Sequence, residues 1–154
     1  MLAVLIEGRI RNNQPSVIGA INPNIEEEGV SHNGTSRVVL VVEDEWAVRY
    51  LIALQLLDGG WDVLQATTAE DAIKCLQRGD RVDIVFTDIQ LAGVLNGWDV
   101  AEQFRAVRAD MPIIYTSNNS VDRSRRVVGS MFFEKPYRPA AIVEACEKLA
   151  EAWP

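Results

Sequence analysis

The sequence predicts an α/β fold: a doubly wound, five-stranded parallel sheet with helices on both faces. Two observations carry that prediction. Beyond Arg37 five short apolar segments recur, at Val38–Val42, Trp61–Ala66, Val82–Thr87, Pro112–Thr116 and Met131–Phe133. Most are continuous apolar runs, the pattern of strands buried on both faces of a parallel sheet. Helical periodicities separate them, and right-handed crossovers between parallel strands distribute those helices over both faces.

Each helix has its own signals. Trp46–Leu57 is almost wholly apolar and stops at Gly59-Gly60, a good terminator. Thr67-Thr68-Ala69-Glu70 has capping-box spacing, and Ala72, Ile73 and Leu76 follow on one face. Trp98, Ala101, Phe104 and Val107 form the next stripe, and Val121–Val128 is read as a short fourth helix. Pro139 opens the last, where Ile142, Val143, Cys146, Leu149 and Ala150 share a face. Trp46, Trp61 and Trp98 are expected to pack in the core or on helix faces.

Residues 1–36 have a different texture. Turn formers such as Asn12-Asn13-Gln14-Pro15 and Asn22-Pro23-Asn24, with the acidic Glu26-Glu27-Glu28, interrupt any lasting period. They are expected to be a partly disordered extension, with a short strand near Val17–Ile21, ahead of a domain over 37–154.

Composition excludes much. The 154 residues suit one ordinary domain, and 48% hydrophobic with 24% charged residues is the mix of globular proteins. No apolar run approaches the length of a membrane span, and Met1–Ile6 is too short for a signal peptide, so the expected location is the cytoplasm. Cys75 and Cys146 are then expected to be reduced thiols on helices. A net charge of −7 disfavours a non-specific grip on nucleic acid. One histidine, His32, cannot build a histidine metal cluster or zinc finger.

The chemistry lies where the strands end, the edge at which doubly wound sheets place their sites. The first strand ends in Glu43-Asp44-Glu45, the third in Asp88, the fourth in Thr116-Ser117 and the fifth in Glu134-Lys135-Pro136. Glu43, Asp44 and Asp88 would repel one another unless a cation sat among them, and few, hard oxygen ligands suit Mg²⁺. A hydroxyl from Thr116 and an ammonium from Lys135 facing that cation suit a phosphoryl group. A carboxylate so placed can itself be the nucleophile, and Asp88, alone on a central strand, is the natural choice. Each residue alone also reads as a helix cap or a turn: Asp44 or Glu45 before Trp46, Asp88 as a turn residue, Thr116-Ser117 as a cap, Lys135-Pro136 as an exposed turn. Their conjunction at four strand ends of five points to phosphoryl chemistry.

From about Val38 to Leu149 the chain resembles the receiver domains of two-component response regulators. Glu43-Asp44 looks like their acidic pair, Asp88 like the phosphoacceptor, Thr116 like the switch hydroxyl and Lys135-Pro136 like their Lys-Pro, whose peptide bond is often cis. Phe132 falls where the family carries its rotating aromatic. The resemblance implies a flavodoxin-like strand order 2-1-3-4-5 and a Mg²⁺ site of Glu43, Asp44, Asp88 and the Gln90 backbone carbonyl. It also implies phosphoryl transfer to Asp88 from a histidine kinase or histidine phosphotransfer protein, and an output face near the fourth helix. There Arg123, Arg125 and Arg126 are either a solvated face or a surface for a downstream protein or a second, phosphorylated copy.

Departures accompany the match. Leu91-Ala92 stands where Met-Pro is common, and the loop from Asp88 to Gly97 is one residue longer than usual. Gln90 and Asn118 occupy the two positions that influence hydrolysis, and Phe132 has no hydroxyl, so only its packing can signal. With nothing after Pro154, a stand-alone receiver is expected. A phosphate sink or relay without its own output is the alternative. A haloacid-dehalogenase-like phosphohydrolase is the remote one, since Asp88-Ile89-Gln90 lacks that family's second acid.

Overall fold

A computed structural model describes residues 10–12, 36–118 and 122–152. In chain order the elements are β1 (Ile10–Asn12), β2 (Val38–Val42), α1 (Trp46–Asp58), β3 (Asp62–Ala66), α2 (Ala69–Gln77), β4 (Ile84–Asp88), α3 (Gly97–Val107), β5 (Ile113–Ser117), β6 (Met131–Glu134) and α4 (Pro139–Ala152). All strand pairs are parallel, in the order β1-β3-β2-β4-β5-β6. The five strands from β2 onward thus have the expected 2-1-3-4-5 order. The unexpected addition is β1, which pairs Ile10 with Val63 and Asn12 with Gln65 along the outer edge of β3. The strand expected near Val17–Ile21 lies outside the described residues.

Alternation of side chains across the sheet divides the interior in two. Val39, Val41, Ile84, Phe86 and Ile114 face one way and pack with Ile52 and Leu56 of α1 and Ile142 and Cys146 of α4. Leu40, Val42, Val85, Ile113 and Tyr115 face the other and pack with Ala72 and Cys75 of α2 and Val100 and Phe104 of α3. Both cysteines are buried, free thiols.

Helix boundaries follow their caps. Thr68, rather than Thr67, caps α2, accepting a hydrogen bond from the Asp71 N–H. Asn96 and Asp99 form a reciprocal capping box at the start of α3. At the end of α1, Gly60 takes φ +87°, a conformation few side chains tolerate, and turns the chain into β3.

Of the two packings expected for Trp46 it takes the helix face and not the core: it is 66% exposed, and its indole stacks on Tyr50 in the same helix. One expectation is overturned. The helix expected over Val121–Val128 is absent among the described residues 122–128, which form turns. Asp122 closes a local turn on the Ser124 N–H, and Gly129 at φ +75° reverses the chain into β6. Arg123 and Arg125 bond outward, to β6 and α3, rather than along a helix. No helix among the described residues is long and apolar enough to cross a membrane.

Candidate functional site at the carboxyl edge of the sheet

The alternation that divides the core also aims the polar strand ends. Glu43 continues the series Val39-Val41, Asp88 continues Ile84-Phe86, and Thr116 continues Ile114, so all three carry on along the face packed by α1 and α4. Asp88 and Thr116 are register partners on adjacent strands. Lys135 follows β6, ahead of a cis Lys135-Pro136 bond.

These elements bring four charged groups together. Lys135 Nζ lies 2.6 Å from Asp88 Oδ2 and 3.2 Å from Glu43 Oε2. Carboxylate oxygens of Glu43, Asp44 and Asp88 all lie within 4.8 Å of one another. Glu43 is fully buried, and its other oxygen accepts from the Glu45 N–H. Burial first, and then the Asp88 charge, push the Glu43 pKa up to about 7 despite the opposing Glu45 and Lys135 contacts. Burial works against the charge on Lys135, yet its hydrogen bond to Asp88 and the nearby carboxylates hold its pKa above the ordinary value. One ammonium does not balance three carboxylates, and the donor set is of hard oxygens open to water on the exposed Asp44 side. That set fits a divalent cation such as Mg²⁺.

The backbone around Asp88 is tightly set. The Gln90 N–H donates to Asp88 Oδ1, while the Gln90 side chain is exposed. A side chain at Gly97 is excluded, since its Cβ would lie 2.2 Å from the Asp88 carbonyl oxygen. The loop between them folds back so that the Ala92 N–H donates to Asp44 Oδ2. Asn118 is exposed just past β5.

The remaining expected residues lie elsewhere. Phe132 is the register partner of Tyr115 and packs on the α2–α3 side, away from Thr116. The Arg123 guanidinium lies over its ring and pairs with Glu134. Arg125 forks onto Asp99 and Glu102 of α3, and Arg126 bonds Ser130. Two residues were not foreseen. Arg49 donates to the carbonyl oxygen of Glu43, an interaction signalled by its place one turn into the helix after the acidic pair. Tyr137, two residues beyond Lys135, buries its hydroxyl near Thr116.

Residues 39–147 match the model of the response regulator receiver domain. The chain is 27% identical over 129 residues to the autoinducer 1 sensor kinase/phosphatase LuxN of Vibrio campbellii, covering 82% of this chain and 14% of that protein. It is 33% identical over 120 residues to the transcriptional regulatory protein AruR of Pseudomonas aeruginosa, covering 72% of this chain and 48% of that protein. It therefore spans half or less of these relatives. A response regulator receiver protein from Sinorhizobium medicae superposes with a TM-score of 0.73 at 30% identity, over 76% of this chain and 96% of that one. The receiver domain of the sensor histidine kinase PA1611 from Pseudomonas aeruginosa, solved with a magnesium ion in its active-site cleft, shares the fold at 22% identity and a TM-score of 0.65, over 76% of this chain and 99% of that one. The chain belongs to the response regulator receiver domain family, the phosphoryl-accepting signalling switches of two-component systems.

Proposed function

We propose that this chain accepts a phosphoryl group on Asp88 from a histidine kinase or histidine phosphotransfer protein and in consequence binds a partner differently. The observation that carries the reading is the Lys135 ammonium 2.6 Å from Asp88, beside two further carboxylates. An Asp88 oxygen forms the new P–O bond as the donor's bond to phosphorus breaks. Lys135 is placed to bind the oxygens of the incoming group, and Thr116, the register partner of Asp88, to donate a hydroxyl to them. Glu43, Asp44, Asp88 and the Gln90 carbonyl are the residues that would hold Mg²⁺, with Glu43, the most buried, acting through water. When bound, Mg²⁺ supplies positive charge opposite Lys135.

Residues 37–154 are the receiver in this reading, and 1–36 an extension whose Ile10–Asn12 lengthens the sheet. The acidic balance, −7, favours protein partners over nucleic acid, a second phosphorylated copy among them, in the cytoplasm. Arg123, Arg125 and Arg126 border the surface that such a partner reads. A sink or relay differs in having no phosphorylation-dependent partner. The test is intact-mass measurement after incubation with a small acyl phosphate. One added phosphoryl is expected with Mg²⁺, none with a chelator and none in Asp88→Ala. Wild-type labelling of Asp88→Ala would remove the reading.

A further inference from the structure

Three hydroxyls at this edge of the sheet, those of Thr116, Ser117 and Tyr137, are buried without a hydrogen-bond partner among the described residues. Buried polar groups are nearly always paired, so each of these hydroxyls is open to a partner that another state of the molecule brings. Strand alternation separates them. Thr116 carries on along the face of Ile114 and Phe86, whereas Ser117 carries on along that of Tyr115. Tyr137 belongs with Thr116: its ring packs edge-on against Phe86 and Phe133, at 6.2 and 6.4 Å between centroids, in the core beneath the α1–α4 face.

The phenol is close enough to Thr116 for the two hydroxyls to interact, but neither makes a well-aligned bond. Burial, seconded by the Glu43 charge, pushes the Tyr137 pKa up to about 12, so at neutral pH the group stays a donor. Thr116, in contrast, can both donate and accept. If its one proton turns toward an oxygen on Asp88, its lone pairs are left for a donor behind it. Tyr137 is the buried hydroxyl on that side of the sheet.

We propose that Tyr137 is a positioning residue for the switch hydroxyl: its O–H donates to Thr116 Oγ1 when Thr116 donates to a phosphoryl group on Asp88. This rests on the reading of Asp88 as phosphoacceptor and adds a second member to its hydroxyl relay. A donor behind Thr116 polarises the Thr116 O–H and strengthens its bond to the anion. The phenol ring, held by Phe86 and Phe133, then takes part in the repacking that accompanies phosphorylation.

The test is the affinity of the full chain for beryllofluoride in the presence of Mg²⁺, measured by titration calorimetry. Tyr137→Phe keeps the ring and removes only the unpaired hydroxyl, so its melting temperature is expected to equal or exceed that of wild type. Its beryllofluoride affinity is expected to fall about fivefold, the weight of one hydrogen bond. The decisive readout is the double-mutant cycle. In a Thr116→Ala background Tyr137→Phe should change nothing, whereas in Thr116→Ser, which restores a hydroxyl, the fivefold loss should return. Ser117→Ala, on the opposite face, should bind as wild type does. Equal loss from Tyr137→Phe with and without the Thr116 hydroxyl, or no loss at all, overturns the relay. Absence of beryllofluoride binding in the wild type would instead remove the parent reading, and the relay with it.

Discussion

The Arg123 guanidinium sits 3.8 Å above the centre of the Phe132 ring and is simultaneously ion-paired with Glu134. One side chain of the irregular segment thus clamps two neighbours on β6, a residue apart on either side of Phe133. A cation over an aromatic face is worth about 0.5–1 kcal/mol at an exposed site, and an exposed ion pair about as much or less. Together they hold Phe132 against the α2–α3 side with an energy of the size that divides the two arrangements of a switch.

Arg123→Ala should release that clamp. The expected outcome is faster amide exchange across residues 122–130 in the unphosphorylated protein, by about threefold to tenfold for a loss of about 1 kcal/mol. Exchange identical to wild type would mean that the segment's other bonds, from Arg125, Arg126 and Arg105, hold it without Arg123.

Thr116→Ala should separate chemistry from signalling. Asp88 and Lys135 keep their 2.6 Å contact without Thr116, so labelling by an acyl phosphate should persist. The change in exchange around Arg123–Arg126 on adding a phosphoryl mimic should be lost. A full response in this variant, or none in the wild type, would place the switch elsewhere.

Glu43 makes stability depend on pH. Its pKa is raised from 4.5 to about 7, so between those values the folded protein retains a proton that the unfolded chain has released. Metal-free stability should therefore fall as pH rises from about 4.5 to 7, by on the order of 2–3 kcal/mol, and level off above that. Mg²⁺ competes with that proton, so the stabilisation it gives should grow over the same window. Urea titrations at several pH values, with and without Mg²⁺, test both slopes, and Glu43→Gln should flatten the metal-free one. Asp44→Ala should weaken Mg²⁺ binding more than Glu43→Gln does, since direct ligands carry more than water-mediated ones.

Gly97 supports the site mechanically. A Cβ there would meet the Asp88 carbonyl oxygen at 2.2 Å and the Ile89 Cα at 2.8 Å, neither of which can move without shifting the end of β4. Gly97→Ala should cost about 3 kcal/mol in urea unfolding and reduce Asp88 labelling together with it. Unchanged stability would mean that the start of α3 yields freely.

Much of the candidate site was legible because its parts are local. Where a buried parallel strand leaves the core its residues turn polar, so Glu43, Asp88 and Thr116 stand out at the ends of apolar runs, and Lys135 stands one residue past the half-buried β6. What was not legible depends on distant partners. Arg125 meets Asp99 and Glu102, more than 20 residues away, and those bonds hold a loop where local pattern suggested a helix. For Trp46 the sequence left core and helix face open, because periodicity reports a helix's apolar side, but not where the sheet beneath it stops. The pairing of Ile10–Asn12 with β3 left no signal, being three residues of backbone hydrogen bonding without an apolar run. Tyr137 was visible beside Lys135-Pro136, yet its importance lies in an unpaired hydroxyl, a property of packing alone.

Because Thr116 and Phe132 belong to opposite sides of the sheet, no side chain on one can push directly on the other. What happens at Asp88 can reach Phe132 as a displacement of β5 and β6 themselves, a wall flexing between two rooms. Substitutions should then sort by room. Those among Phe86, Phe133 and Tyr137 alter how the chemistry is felt, and those among Trp98, Tyr115 and Val127 alter what the outside sees.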